Sequence, residues 1–264
     1  MSTKGQDYAV RSSLFELKRL PRPLYGQVES LPNRALTYQH SHPWVQLSYA
    51  TQGVLEVQTR AGRFIAPPQR AVWVPAGMPH RVFSTPQTEM RSLYLECNVT
   101  TWAPPSCRVL EVSPLLRELI RTFSLLPEDY DEEGAAGRLA QVLLDQLASA
   151  AEVDLALPLP QDKRLRQICR NLQAHPEQQT TLGDWGLQLG VSEKTLSRLF
   201  LRETGLSFRA WRQRLRLLGA LAPLERGERV TDVALACGYD STSAFIAAFR
   251  QLFDCTPGEF FRET

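Results

Sequence analysis

Histidine is scarce in this chain, with four in 264 residues. Cysteine is little commoner, at five, and no two cysteines stand as a CxxC pair. Odd-numbered, scattered thiols argue against a disulfide scaffold and fit reduced cysteines in a cytosol. No run approaches the ~18 apolar residues a membrane span needs. The opening MSTKGQDYAVRSSLFELKRL lacks an unbroken apolar stretch, so no signal peptide is expected. G-x-S-x-G, GxxxxGK[ST] and a nucleophile-with-base pair are all missing. Net charge is only +2, which by itself says nothing about nucleic acid. What is present is 43% hydrophobic and 22% charged residues, the makings of a soluble globular protein with real cores.

The charge is unevenly placed. From Lys194 to Arg216 stand Lys194, Arg198, Arg202, Arg209, Arg212, Arg214 and Arg216 against the single acid Glu203, while 128-EDYDEE-133 leans the other way. A local basic stripe in a near-neutral chain is a footprint for phosphate, or a solvated helix face.

The periodicity changes along the chain. LTYQHSH, VQLSYAT, VLEVQT, RFIAP, AVWVP, HRVFS and SLYLEC, between residues 36 and 97, are short and rich in β-branched and aromatic residues, as strands of a small barrel or sandwich are. After 103-APPS-106 the spacing turns helical, with Leu139, Val142, Leu143, Leu147 and Ala150 on one stripe that covers the sheet, forms a dimer seam, or does both. The segment 153-VDLALPLPQD-162 holds Pro158 and Pro160 and reads as an extended linker. Everything beyond is helical.

That last part repeats. With 182–211 set against 230–260, Asp184 meets Asp232 and Gly190 meets Gly238; after one inserted residue Phe200 meets Phe249, Ser207 meets Thr256 and Trp211 meets Phe260. Each copy reads helix, glycine turn, helix, aromatic cap, a duplicated helix-turn-helix whose second helices fit major grooves about 34 Å apart. The two aromatics read as core. The connector 207–228 has Ser207 as N-cap and an apolar stripe of Phe208, Trp211, Leu215 and Leu218, and Pro223 must sit near its last turn or kink it.

Residues ~162–262 resemble the DNA-binding domain of AraC-type transcription regulators. The most specific stretch is 230-VTDVALACGYDSTSAFIAAFRQLFDCTP-257, in which Asp254 replaces a usual glycine. The resemblance implies recognition helices over about Ser192–Arg202 and Ser241–Leu252. In the first, Lys194, Ser197 and Arg198 would face bases and Arg202 phosphate. In the second, Thr242, Ser243, Ile246 and Ala247 would face outward, with Ser241 and Arg250 near phosphate. Arg198 can bond a guanine in bidentate fashion.

Three of the four histidines fall in two short motifs. His40-x-His42, three residues, Gln46, six residues, Gly53 is one; Pro75-x-Gly77, two residues, His80 is the other. Three imidazoles converging in a barrel make a site for a divalent Zn, Ni, Cu, Fe or Mn ion. The segment ~35–97 is similar to the cupin fold. Gln46 stands where that fold has a ligand glutamate, Ser84 where it has asparagine, and Arg34 and Gln69 where it has leading glycines. A neutral amide is a weaker ligand than a carboxylate, so an exchangeable metal, a metal-held effector or a metal-free pocket lined by Trp44, Tyr49 and Trp73 all stay open.

The expected architecture is therefore α+β with two domains. A cupin-like sensor spans 1–105, a helical dimerisation region 106–152, a linker 153–162 and the helix-turn-helix domain 163–264. The expected function is a cytoplasmic, DNA-binding transcription regulator that senses a small molecule or metal. Its partners would be double-stranded DNA, a second copy and RNA polymerase, with no membrane. A cupin metalloenzyme tethered to DNA is the alternative; it needs an inward acid/base group, and neither Glu56 nor Glu96 has a reason to face inward.

Overall fold

The computed structural model describes residue 17 and residues 19–30, 38–85 and 88–261. The N-terminal half is two antiparallel sheets. Its strands are β1 (Leu24–Ser30), β2 (Val45–Gln52), β3 (Leu55–Thr59), β4 (Gly62–Ala66), β5 (Arg70–Val74), β6 (His80–Ser84), β7 (Glu89–Leu95), β8 (Arg108–Glu111), β9 (Glu152–Val153) and β10 (Ala156–Pro158). One sheet runs β1-β7-β2-β5-β8-β9 and the other β10-β4-β3-β6.

Both faces of the larger sheet are covered, so β2, β5 and β7 are buried almost throughout, and alternation decides which core each side chain joins. On β2, β5 and β7, Ala50, Val72, Val74 and Met90 face the second sheet. Leu47, Tyr49, Trp73 and Leu93 face the opposite way, under helices α1 (Pro114–Phe123) and α2 (Ala135–Ser149). Helix α1 starts where Ser113 accepts from Leu116 N–H at 3.1 Å and Pro114 fills the first turn. It buries Leu116, Leu119, Ile120 and Phe123 against the sheet. Helix α2 buries Ala140, Leu143 and Leu147, while Val142, expected on its stripe, is 44% exposed.

The C-terminal half comprises α3 (Lys163–Ala174), α4 (Leu182–Leu189), α5 (Glu193–Thr204), α6 (Phe208–Glu225), α7 (Val230–Ala236), α8 (Thr242–Phe253) and α9 (Pro257–Phe260). Each repeat turns where sequence periodicity places it: Gly190 and Gly238 have φ of 64° and 78°, a region that costs L side chains. Phe200 packs on Phe208 and Trp211, and Phe249 on Phe245, Phe253 and Phe260, so both aromatics are core. Pro223 sits in the last turn of α6, two residues before its end.

Four expectations need correction. LTYQHSH is not a strand: Leu36 and Thr37 lie outside the described residues, and of the rest only His40 pairs, in a single bridge to His80. Strands β1 and β8 were not anticipated. Strand β8 pairs with β5 and β9, so the sheet continues past residue 105 and a purely helical 106–152 region does not exist. Finally, 153–162 is extended but not free. Its β10 pairs with β4, Ile65 N–H donates to Leu155 O at 3.0 Å, and Trp211 Nε1 of α6 donates to Pro158 O at 2.7 Å. An extended, proline-rich segment reads alike whether it dangles or adds to a sheet edge, and only the partner tells them apart.

Candidate metal centre and nucleic-acid interface

The two histidine motifs are joined by backbone. His40 N–H donates to His80 O at 3.0 Å and His80 N–H to His40 O at 2.9 Å, while Gly77 N–H donates to His42 O at 2.8 Å. The PAG turn, with Gly77 at φ 72°, is thereby pinned against the segment that carries His40 and His42. Ring centroids of His80 lie 4.2 Å from His40 and 5.2 Å from His42. One ring nitrogen of each of the three lies within 4.8 Å of the others.

The tautomers follow from the neighbours. Nδ1 of His42 lies 2.8 Å from Trp44 O, Nδ1 of His80 2.8 Å from Met78 O, and Nδ1 of His40 3.2 Å from Tyr38 O. A carbonyl only accepts, so each Nδ1 carries the proton and each neutral ring keeps its lone pair on Nε2. Those of His42 and His80 point at Gln46 Oε1, at 3.0 and 3.1 Å. Burial holds all three histidines below their ordinary pKa, and His80, which also faces the other two imidazoles, falls to about 4. At neutral pH the cluster is therefore uncharged and rich in lone pairs. Gln46 Nε2 donates to Ser92 Oγ and Tyr94 Oη, each at 3.4 Å. Sequence reading missed Ser92 and Tyr94; their alternation on β7 opposite Gln46 was the available signal.

Of the aromatics expected to line a pocket with the histidines, Trp44 is beside them, its ring stacked on His42 at 5.7 Å. Tyr49 and Trp73 are not. Both occupy the odd-facing side of the sheet, buried beneath the helices at 1% and 0% exposure, because a strand sends alternate residues to opposite faces. Glu56 pairs with Arg63 at 2.6 Å, so it is already engaged.

On the helical half, Ser192 caps α5 and Ser241 caps α8, accepting from Thr195 N–H at 3.3 Å and Ala244 N–H at 3.2 Å. Lys194, Ser197, Arg198 and Arg202 are exposed on α5, and Ser241, Ser243, Ala247 and Arg250 on or beside α8. Thr242 is half-buried, and Ile246 packs against the core instead of facing outward. The basic stripe is only partly a surface. Arg216, 8% exposed, donates to Pro176 O at 2.8 Å and Gln178 O at 3.1 Å; Arg212 donates to Thr180 O, and Arg214 is engaged by Asp154. These three brace the fold. Lys194, Arg198, Arg202 and Arg209 remain at the surface.

Two family models match the chain: the AraC-like ligand binding domain over residues 23–150 and a helix-turn-helix domain over residues 185–263. The HTH-type transcriptional regulator NimR of Escherichia coli (strain K12) is 38% identical over 221 residues, 84% of this chain and 81% of its own length. This chain belongs to the AraC-type transcriptional regulators. The HTH-type transcriptional regulator RipA of Corynebacterium glutamicum is 36% identical over 139 residues, covering 53% of this chain and 40% of its own. Among solved structures, ToxT from Vibrio cholerae O395 aligns over 90% of this chain and 96% of its own at 10% identity and a TM-score of 0.38, a likeness too loose to carry weight.

As an AraC-type regulator the protein carries an N-terminal ligand-binding domain and a C-terminal DNA-binding domain. The histidine cluster lies in the first, and α5 and α8 lie in the second. No described helix is long and apolar enough to cross a membrane.

Proposed function

We propose that this regulator responds to a divalent transition metal held by His40, His42, His80 and Gln46, and that occupancy of that site sets how the DNA-binding half is presented. One observation carries the reading: Nε2 of His42 and of His80 lie 3.0 and 3.1 Å from Gln46 Oε1, and the carbonyls facing both Nδ1 atoms leave each Nε2 with its lone pair. Three acceptors in one place call for a cation, and Nδ1–H bonds to carbonyls are the usual support of Nε2 ligation. The ion would supply a positive charge that a small anionic effector could share.

Glutamine also serves the metal-free state, which the fold family's glutamate could not. Turning the Gln46 amide by half a revolution aims its two N–H groups at the two Nε2 lone pairs and its oxygen at the Ser92 and Tyr94 hydroxyls. A carboxylate has no such second state, since it only accepts. Gln46 therefore suits a site that fills and empties.

The protein works as a regulator and not as an enzyme, in the cytoplasm where its DNA is. It works as a homodimer through the helical region, where Leu115 of α1, Leu125 just past α1 and Val142 of α2 are 54%, 58% and 44% exposed, with RNA polymerase as the partner at the promoter. The test is a footprint of the purified protein on its own upstream region, with chelator and with each of Zn, Ni, Cu, Fe and Mn, alongside measurement of bound metal. One exchangeable ion per chain and a metal-dependent footprint are expected. A footprint indifferent to every metal, on protein that takes up none, replaces this reading with a metal-free effector pocket.

A further inference from the structure

A second site lies outside the histidine cup, where the two halves of the chain meet. A cavity of about 460 Å3 opens between the sensor sheets and α3, and four arginines line it. Arg60, in the β3–β4 turn, and Arg81, on β6, come from the sensor; Arg166 and Arg170 come from α3 of the DNA-binding half. Among the described residues none of the four is in an ion pair with a carboxylate. The acids nearby are committed elsewhere: Asp162 to Arg164 at 2.7 Å, and Glu203 to the N–H groups of Gln161 and Asp162 at 2.8 and 2.9 Å.

Two of the guanidinium groups compete for one neutral oxygen. Arg60 Nε donates to Gln161 Oε1 at 2.9 Å, and Arg166 Nη2 donates to the same atom. Cations from two domains thus converge on half of an amide dipole, while Arg81 and Arg170 line the same cavity. Like charges gathered around a hollow repel, and a small anion reverses the sign of that interaction. The planar fork of arginine matches phosphate and carboxylate oxygens in pairs.

We infer that this cavity binds a small molecule carrying at least two negative charges, a phosphate ester or a polycarboxylate, and that the bound anion joins sensor to DNA-binding half. An anion touching arginines of both halves binds their docked arrangement better than any other, which is what an effector must do to shift the balance between arrangements. The site is concave, which favours a ligand that enters it over a duplex that lies across it. The inference is independent of the metal reading, since no histidine takes part.

The experiment is calorimetric titration of the full-length protein with inorganic pyrophosphate and with citrate at constant ionic strength. It is repeated on His42→Ala, which separates this site from any metal bridging the anion. Saturable binding of at least one of the two, with one site per chain, is expected in both proteins. Arg81→Gln and Arg170→Gln, both at exposed positions, should each weaken it at least tenfold and leave operator affinity measured without anion within about twofold. The inference is overturned if neither probe saturates a site, if both substitutions leave binding unchanged, or if binding vanishes in His42→Ala. It is equally overturned if the arginine variants lose operator affinity while the parent binds no anion, which would assign the four arginines to the DNA backbone.

Discussion

Arg214, on the connector helix between the two DNA-reading units, holds Asp154 of the sensor's edge with both terminal nitrogens, at 2.6 and 2.5 Å. The pair binds the segment that sequence periodicity leaves as a loose tether. A second tie is made at the C-terminal end of the same helix, where Gly53 N–H donates to Glu225 Oε1 at 2.9 Å.

Asp154→Ala should loosen the docking more than it destabilises the protein. Asp154 is 67% exposed on its side chain, so the pair contributes no more than about 1 kcal/mol. Limited proteolysis is the sensitive measurement: cleavage within 153–162 should quicken several-fold. Unaltered cleavage in this variant and in Trp211→Phe would show that neither contact keeps the strand in place.

Gln46→Glu should tighten divalent metal binding at least tenfold, because a carboxylate replaces a neutral ligand beside two lone pairs. Removing the metal should then cost more stability than in the parent, since no rotation of a carboxylate satisfies His42 and His80. Metal competition with a chelating dye and melting with and without chelator report the two effects.

Arg198→Ala and Arg216→Ala should fail in different ways. The first removes an exposed side chain on α5 and should cost ~1–3 kcal/mol of binding with relaxed preference at one base pair. The second deletes a buried charge bonded to two carbonyls and should cost about 2–4 kcal/mol of folding stability. Binding selections over randomised operators, paired with denaturant melts, distinguish a reader from a brace.

Gln69 and Asp254 are the two described residues other than glycine with positive φ, 65° and 59°. Both stand where the resembled families carry glycine. Gln69→Gly and Asp254→Gly should each raise stability, by up to about 1 kcal/mol, with Gln69→Gly gaining more because aspartate tolerates this conformation better. A lowered melting temperature in both would mean the side chains hold something that offsets the strain.

The glycine pattern, the duplicated caps and the histidine spacing were legible in the sequence because each is a local demand of backbone or side-chain chemistry. Ser207 caps α6 for a reason that needs only a few residues of context. What escaped depends on partners distant in the chain. Nothing local in VDLALPLPQD names β4 as its neighbour, and Tyr49 and Trp73 looked like pocket residues until the pleat assigned them to the other face. Arg212, Arg214 and Arg216 counted as one basic stripe, although helix geometry turns them toward three different anchors.

Strand β10 has consequences for anyone who recombines such regulators. Leu155 and Leu157 join a single apolar cluster with Phe64 of the sensor and with Leu165, Trp211 and Leu215 of the DNA-reading half. A chimera cut inside 153–162 inherits a strand selected for one neighbour and sets it against another. Exchange of specificities between relatives should succeed when the crossover carries β4, β10 and α6 together, as a matched set of surfaces.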